Sequence, residues 1–267
     1  QTGRLSQESV ERILQFQRER GLRFGDAAIE LGLLTQADVE FALSCQFDHS
    51  YLTHGQSSVH SSVVTAYTPH SPQAQAIGAL RTQLMLGWYD NDASEKSLAI
   101  VSAERGEGRS FIASNLAVAF SQLGLKTLLI DADMRSPRQH VLFGLDNRIG
   151  LSSMLSGRGG GVTIRPIEGL YNLSVLPTGA LPPNPLELLA RPLFPQLLGE
   201  LEREFEIILI DSPSSTEFPD AQTIAVRAAA TLIVARKNAS RMWKVRGVSD
   251  SISHASATVI GTVLNDF

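Results

Sequence analysis

The sequence predicts an α/β fold, a mainly parallel, doubly wound sheet flanked by helices and preceded by a small helical domain. Three observations carry this. Short apolar runs alternate with helix-length segments from residue 98 onward. A glycine-rich turn, Ala103-Glu-Arg-Gly-Glu-Gly-Arg-Ser110, joins a predicted strand to a predicted helix. The first 46 residues hold a duplicated helical pattern.

The duplication is explicit. Aligning Gly3 with Gly32 brings Leu5 onto Leu34, Ser6 onto Thr35 and Gln7 onto Gln36. The same offset pairs Val10 with Val39, Glu11 with Glu40, Leu14 with Leu43 and Gln17 with Gln46. Each copy places Ser or Thr as a cap before a helix with an apolar face. The first copy starts mid-unit, so residues preceding it are expected. This region, residues 1–48, is read as a small helical domain. Residues 49–71 turn to Ser, Thr, His and Gln and lose periodicity, and are read as a linker.

The large domain is expected over 72–267. A helix is predicted over Gln73–Trp88, then a strand over Leu98–Ser102 and a helix over Ser110–Gln122 ending at Gly124. Strands follow at Thr127–Ile130 and Leu173–Leu176, and a helix over Leu186–Glu204. Ile207–Ile210 is continuously apolar, as in a strand covered on both faces. Thr231–Ala235 and Val259–Leu264 complete the sheet.

Composition narrows the function. Apolar residues make up 43% and charged residues 19%, enough for a sizeable core. A net charge of −4 argues against a nucleic-acid-binding surface. The single cysteine, Cys45, leaves no disulfide partner within the chain and fits a buried structural thiol. The longest apolar runs are strand-sized, so neither a membrane-spanning helix nor a signal peptide is predicted, and a cytoplasmic chain is the default expectation. None of the six histidines has a partner at metal-ligand spacing.

The turn at 103–110 reads as a phosphate-binding P-loop. Gly106 and Gly108 let successive N–H groups converge on phosphate oxygens, and the following helix directs its positive end there. Arg109 stands at the cation position, where lysine is expected, and Ser110 supplies a hydroxyl for Mg²⁺. Ala103 replaces the first glycine, and Phe111 stands where a second hydroxyl is common. Ala103, Glu104, Arg105, Gly106, Glu107, Gly108, Arg109, Ser110 and Phe111 are thus the candidate nucleotide-binding residues. Two further strands end in carboxylates, Asp131 with Asp133 nearby, and Asp211. Ligands of such sheets sit beyond the carboxyl ends of the strands, so the loop and the three aspartates should share one edge. Two carboxylates can position Mg²⁺, and one can accept a proton from an incoming hydroxyl. Ser110, Asp131 and Asp211 are the candidate metal residues, and Arg109, Asp131 and Asp133 the candidate catalytic ones.

These motifs resemble those of the bacterial tyrosine kinases that regulate capsule and exopolysaccharide synthesis. The P-loop, the Asp-x-Asp-x-Arg pattern at Asp131–Arg135 and the Walker B run Ile207–Pro213 all match. So do Leu176–Leu189, Gly150–Gly157 and Pro219-Asp-Ala221, and the resemblance covers about 71–267. It is strongest to the exopolysaccharide chain-length-determinant subgroup. It implies ATP/ADP and Mg²⁺ as cofactors, transfer of phosphate to protein tyrosine, and contact of Asn265 with adenine. It also implies a membrane polysaccharide copolymerase as partner, a homo-oligomer, and a peripheral place at the inner membrane through that partner. The chain departs from the family pattern in two ways. The usual C-terminal tyrosine cluster is absent from Asn265-Asp-Phe267, and the subunit-contact motif Glu-x-x-Arg-x-x-Arg reads Gln75, Gly78 and Arg81. Two alternatives stay open: a non-catalytic ATP-dependent switch, and a partitioning-type ATPase. The latter carries a lysine where this chain has Glu104.

The N-terminal repeat resembles the N-terminal domain of type II secretion ATPases. Arg23–Gly32 with Leu34, Val39, Leu43 and Gln46 carries the likeness. It implies either cyclic di-GMP bound over Arg23–Gln46, with Arg23 on phosphate or guanine, or a docking domain without a ligand.

Overall fold

The structure is a computed structural model and describes residues 5–35, 38–39, 51–89, 96–157 and 163–266. It divides into two units, residues 1–51 and 52–267.

In the first unit, helix α1 (Gln7–Arg20) starts at Ser6, whose side chain accepts from the Ser9 N–H, and stops at Gly21 in the left-handed conformation. Helix α2 (Phe24–Glu30) follows. Ile13, Ala27 and Ala28 form a small core, with Phe16, Leu31 and Leu34 packed on it. Thr35 and Asp38 cap reciprocally: Asp38 accepts from the Thr35 N–H, and the Thr35 hydroxyl accepts from the Asp38 N–H. Gly3, Gln36, Glu40, Leu43, Cys45, Gln46 and His49, on which parts of the repeat, thiol and linker readings fall, lie outside the described residues.

The second unit contains a sheet in the order β3-β4-β2-β5-β1-β6-β7. Its strands are β1 (Ser97–Ser102), β2 (Thr127–Asp131), β3 (Arg165–Ile167), β4 (Leu170–Leu176), β5 (Ile207–Asp211), β6 (Ala230–Arg236) and β7 (Val259–Asn265). All pairings are parallel except β3 with β4. Side chains alternate across the sheet. Ala99, Val101, Leu128, Ile130, Ile208 and Ile210 enter one core. Leu98, Ile100, Leu129, Ile207 and Leu209 enter the other. Helices α7 (Leu151–Leu155), α8 (Pro185–Ala190), α9 (Leu193–Glu204), α10 (Asp220–Arg227) and α11 (Met242–His254) cover the first face. Helices α3 (Val64–Tyr67), α4 (Pro72–Gly87), α5 (Arg109–Ser121) and α6 (Gln139–Leu142) cover the second. Helix α5 is buried nearly all round, because α3 and α4 pack over it.

Three sequence expectations change. Residues 52–71, expected as linker, belong to the second unit. Val59, Val63 and Ala66 are in its core, and the Thr65 N–H donates to Asn115 Oδ1 at 3.0 Å while the Thr65 hydroxyl donates to the Asn115 carbonyl at 3.0 Å. The segment is held by isolated anchors rather than by a periodic face, so hydropathy does not reveal it.

The helix expected over 186–204 is two helices. Arg191 is extended (φ −65°, ψ 148°) because it precedes Pro192, whose ring disfavours the helical region for the residue before it. Strand β3 was not expected at all; it is three residues at a sheet edge, and Pro166 is tolerated there.

Candidate functional site

The P-loop connects β1 to α5. Gly106 (φ 82°) and Gly108 (φ 98°) occupy the left-handed region that a Cβ disfavours. Gly108 is the N-cap of α5, a helix of 13 residues, so its free N–H groups and positive end meet the turn.

The turn is braced from several elements. Buried Glu107 accepts the Glu104 N–H at 2.7 Å with one oxygen and the Ser240 hydroxyl with the other. Asn265, at the end of β7, donates its amide to the Glu107 carbonyl at 3.1 Å. The Ala103 carbonyl accepts from the Thr216 N–H (3.1 Å) and hydroxyl (2.7 Å). Glu104 pairs with Lys244 on α11. Arg105 is exposed.

Arg109 is only 8% exposed and its guanidinium is folded into the loop. Nε donates to the Ser212 carbonyl at 2.8 Å. Nη1 donates to the Ser102 hydroxyl, and to the Glu104 carbonyl at 2.9 Å. Nη2 lies 4.0 Å from Asp133 Oδ2.

The three aspartates reach the same edge, as expected. Asp131 and Asp211 are register partners on β2 and β5 and are fully buried. Asp131 Oδ2 accepts the N–H groups of Arg138 (3.0 Å) and Gln139 (2.9 Å). Asp211 Oδ2 accepts from Gln139 Nε2 at 2.8 Å. The Oδ1 atoms of both have no partner. Burial, followed by the charge of Asp211, pushes Asp131 well above the usual carboxylate range. Burial pushes Asp211 up to about 6, against the lowering effect of Arg109 and of hydrogen bonds from Ser110 and Gln139. Asp133 Oδ1 accepts the N–H groups of Arg135 and Ser136 at 3.1 and 2.8 Å. Its Oδ2 is the oxygen beside Arg109.

An open cleft of about 340 Å³ lies against these groups. Its lining combines Arg105, Gly106, Gly108, Arg109, Ser110 and Phe111 with Asp133, Ser136 and Arg138.

A hydrated divalent cation fits this arrangement. Two unpartnered buried carboxylate oxygens await a donor or a cation, and the Ser110 hydroxyl is within hydrogen-bonding reach of Asp211. Among the described residues no group of three or more His, Cys, Asp or Glu could hold a metal alone. The carboxylate and hydroxyl oxygens of Asp131, Asp211 and Ser110 suit Mg²⁺, which keeps waters and takes substrate phosphates as ligands.

Several residues escaped the sequence reading. Gln139, at the start of α6, touches Asp211, Asp131 and the Ser110 carbonyl. Arg135 reaches Asp220 with Nη2 at 3.1 and 3.2 Å and stacks 3.9 Å from the Phe218 ring centroid. Ser240 and Lys244 come from beyond β6. No spacing rule marks such single polar residues; only the arginine of Asp-x-Asp-x-Arg carried a signal.

Comparison with known proteins agrees with this geometry. The family described as "ParA: NUBPL iron-transfer P-loop NTPase" matches residues 93–266. The chain is 36% identical to CapB of Staphylococcus aureus over 200 residues, 74% of this chain and 86% of that one. It is 30% identical to the tyrosine-protein kinase YwqD of Bacillus subtilis, over 78% of this chain and 87% of that one. The chain belongs to the bacterial tyrosine-kinase family. The matched P-loop NTPase family lies within the second unit. The kinase domain of Escherichia coli ETK superposes with a TM-score of 0.73 at 29% identity, covering 76% of this chain and 79% of that one. The chain spans 26% and 28% of two longer curated relatives. No helix among the described residues is long and apolar enough to cross a membrane.

Proposed function

We propose that this chain is an ATP-dependent protein-tyrosine kinase acting in exopolysaccharide production. The observation that carries it is the Asp131–Asp211 pair, with its two unpartnered oxygens, at the strand edge that also carries the P-loop. In this reading, the N–H groups of Gly106–Ser110 and Arg109 Nη2 take the phosphates of ATP. Ser110, Asp131 and Asp211 hold Mg²⁺, which would neutralise phosphate charge when bound. Asp133 lines the cleft with an oxygen not tied to backbone, so it accepts the tyrosine proton. The tyrosine oxygen bonds to the γ-phosphorus, the bond to the β–γ bridging oxygen breaks, and ADP leaves. Asn265 braces the loop through Glu107, and the resemblance implies that it also contacts adenine.

The switch reading is favoured by one observation, the three hydrogen bonds that commit Arg109 to Ser212, Ser102 and Glu104. Incubating the pure chain with γ-labelled ATP separates the readings. Label on tyrosine supports the kinase. ADP release without labelled tyrosine supports a partitioning-type ATPase, and binding without turnover supports a switch.

By resemblance, the partner is a membrane polysaccharide copolymerase, which would hold the chain at the inner membrane, and self-assembly would bring acceptor tyrosines from one copy to another. Cyclic di-GMP over Arg23–Gln46 is proposed for the first unit, where Arg23 is exposed at the start of α2. Titrating the dinucleotide into the full chain tests it, and no heat of binding would leave this unit as a docking domain.

A further inference from the structure

Among the described residues, Asp131 Oδ1, Asp211 Oδ1 and Gln139 Oε1 are three buried acceptors without partners at the P-loop edge. The first two are accounted for by a divalent cation. The third belongs to an uncharged side chain that no part of the mechanism uses.

Gln139 is fully buried and its orientation is determined by its neighbours. Nε2 donates to Asp211 Oδ2 at 2.8 Å and to the Ser110 carbonyl at 3.2 Å. Both neighbours only accept, so flipping the amide would set oxygen against oxygen twice. Oε1 is therefore fixed away from these two partners, with no protein donor to satisfy it. The backbone of the same residue donates to Asp131 Oδ2 at 2.9 Å. One residue thus touches both carboxylates and the carbonyl of the serine expected to bind metal, and leaves one acceptor over.

An unmade bond at a buried amide oxygen is costly, and a water held by a cation is a strong donor. We infer that Gln139 is a positioning residue of the metal site: its amide nitrogen orients Asp211 and the metal-binding serine, and its amide oxygen accepts from a water of the bound cation. This rests on the nucleotide-site reading above. It adds an outer partner whose loss should weaken the metal without weakening the nucleotide itself.

The test uses the full chain and two titrations. ADP is titrated in EDTA, and Mg²⁺ is then titrated into the ADP-saturated protein, with Mn²⁺ followed by electron paramagnetic resonance as a second readout. For Gln139→Leu, metal affinity should fall about tenfold or more, while ADP affinity in EDTA stays within about twofold of the parent. Gln139→Asn keeps an amide too short to span Asp211 and Ser110, and should show the same split; it serves if the leucine variant does not fold. Metal affinity unchanged in a folded variant would overturn the inference, as would equal losses with and without metal, the mark of a purely structural glutamine. If the parent's ADP binding shows no dependence on Mg²⁺, the nucleotide-site reading itself fails, and this inference with it.

Discussion

Asp131 and Asp211 stand directly opposite one another on adjacent parallel strands, both fully buried, each with one oxygen unpartnered. Two like charges in one dry site repel, and burial opposes ionising either. The folded chain therefore keeps a proton that the unfolded chain releases near 3.8, because Asp211 is raised to about 6. Through Asp211, stability without metal should fall as pH rises from about 4 through 6, and ionising the raised Asp131 adds a further cost above that window. Asp211→Asn should make the metal-free protein more stable than the parent at pH 7.5, by on the order of 1–3 kcal/mol, and the gain should shrink toward pH 5. Urea unfolding in EDTA at the two pH values measures this. Parallel pH dependences in parent and variant would sink it.

Arg109 has two roles, bracing the loop and presenting Nη2 to the cleft. Arg109→Ala should lower ADP affinity by about 1–3 kcal/mol, the scale of a charge-assisted hydrogen bond. It should also lower thermal stability, since the Ser212 carbonyl loses the Arg109 donor and the Glu104 carbonyl keeps only the Ser102 hydroxyl. Arg109→Lys retains the charge but cannot match a planar fork with three bonded partners, so it should keep more affinity than stability. Calorimetry beside thermal unfolding separates the two. A lysine variant as stable as the parent would show that the brace is dispensable.

Asn115 anchors residues 62–65 over α5, donating to the Ser62 carbonyl at 3.1 Å and accepting the Thr65 N–H. Asn115→Ala leaves buried backbone groups unpaired and should cost about 1–3 kcal/mol. Thr65→Val, which removes only the hydroxyl, should cost less. Urea denaturation ranks them, and the reverse order would move the anchor from Asn115 to Thr65.

The Glu104–Lys244 pair is partly exposed, at 36% and 20% of the side chains. Lys244→Ala should change stability by less than about 1 kcal/mol. A larger loss would mean that the pair holds the P-loop and does more than decorate its rim.

The central strands were legible because they are covered on both faces. Leu98–Val101, Leu128–Ile130 and Ile207–Ile210 are continuous apolar runs, short and alternating with helix-length segments. Their terminal aspartates followed directly, since a parallel sheet brings its carboxyl ends together. What escaped notice depends on single contacts. Residues 52–71 are held by Val59, Val63 and Thr65, too sparse to make a period. Gln139 and Glu107 are polar residues whose partners lie 72 and 133 positions away, at Asp211 and Ser240. The break at Arg191 has its signal in Pro192, a single residue between two apolar stretches.

Arg135 grips Asp220 and lies on Phe218, so the segment that follows β2 is clasped to the one that follows β5. One of these carries Asp133 and the other trails Asp211. Clasped segments travel together, and the site then has one moving part where the topology supplies two. Disturbing either end of the clasp should release the same motion. Arg135→Ala and Asp220→Ala combined should therefore cost about as much as the more damaging of the two alone, a non-additivity that a double-mutant cycle on nucleotide release reads directly.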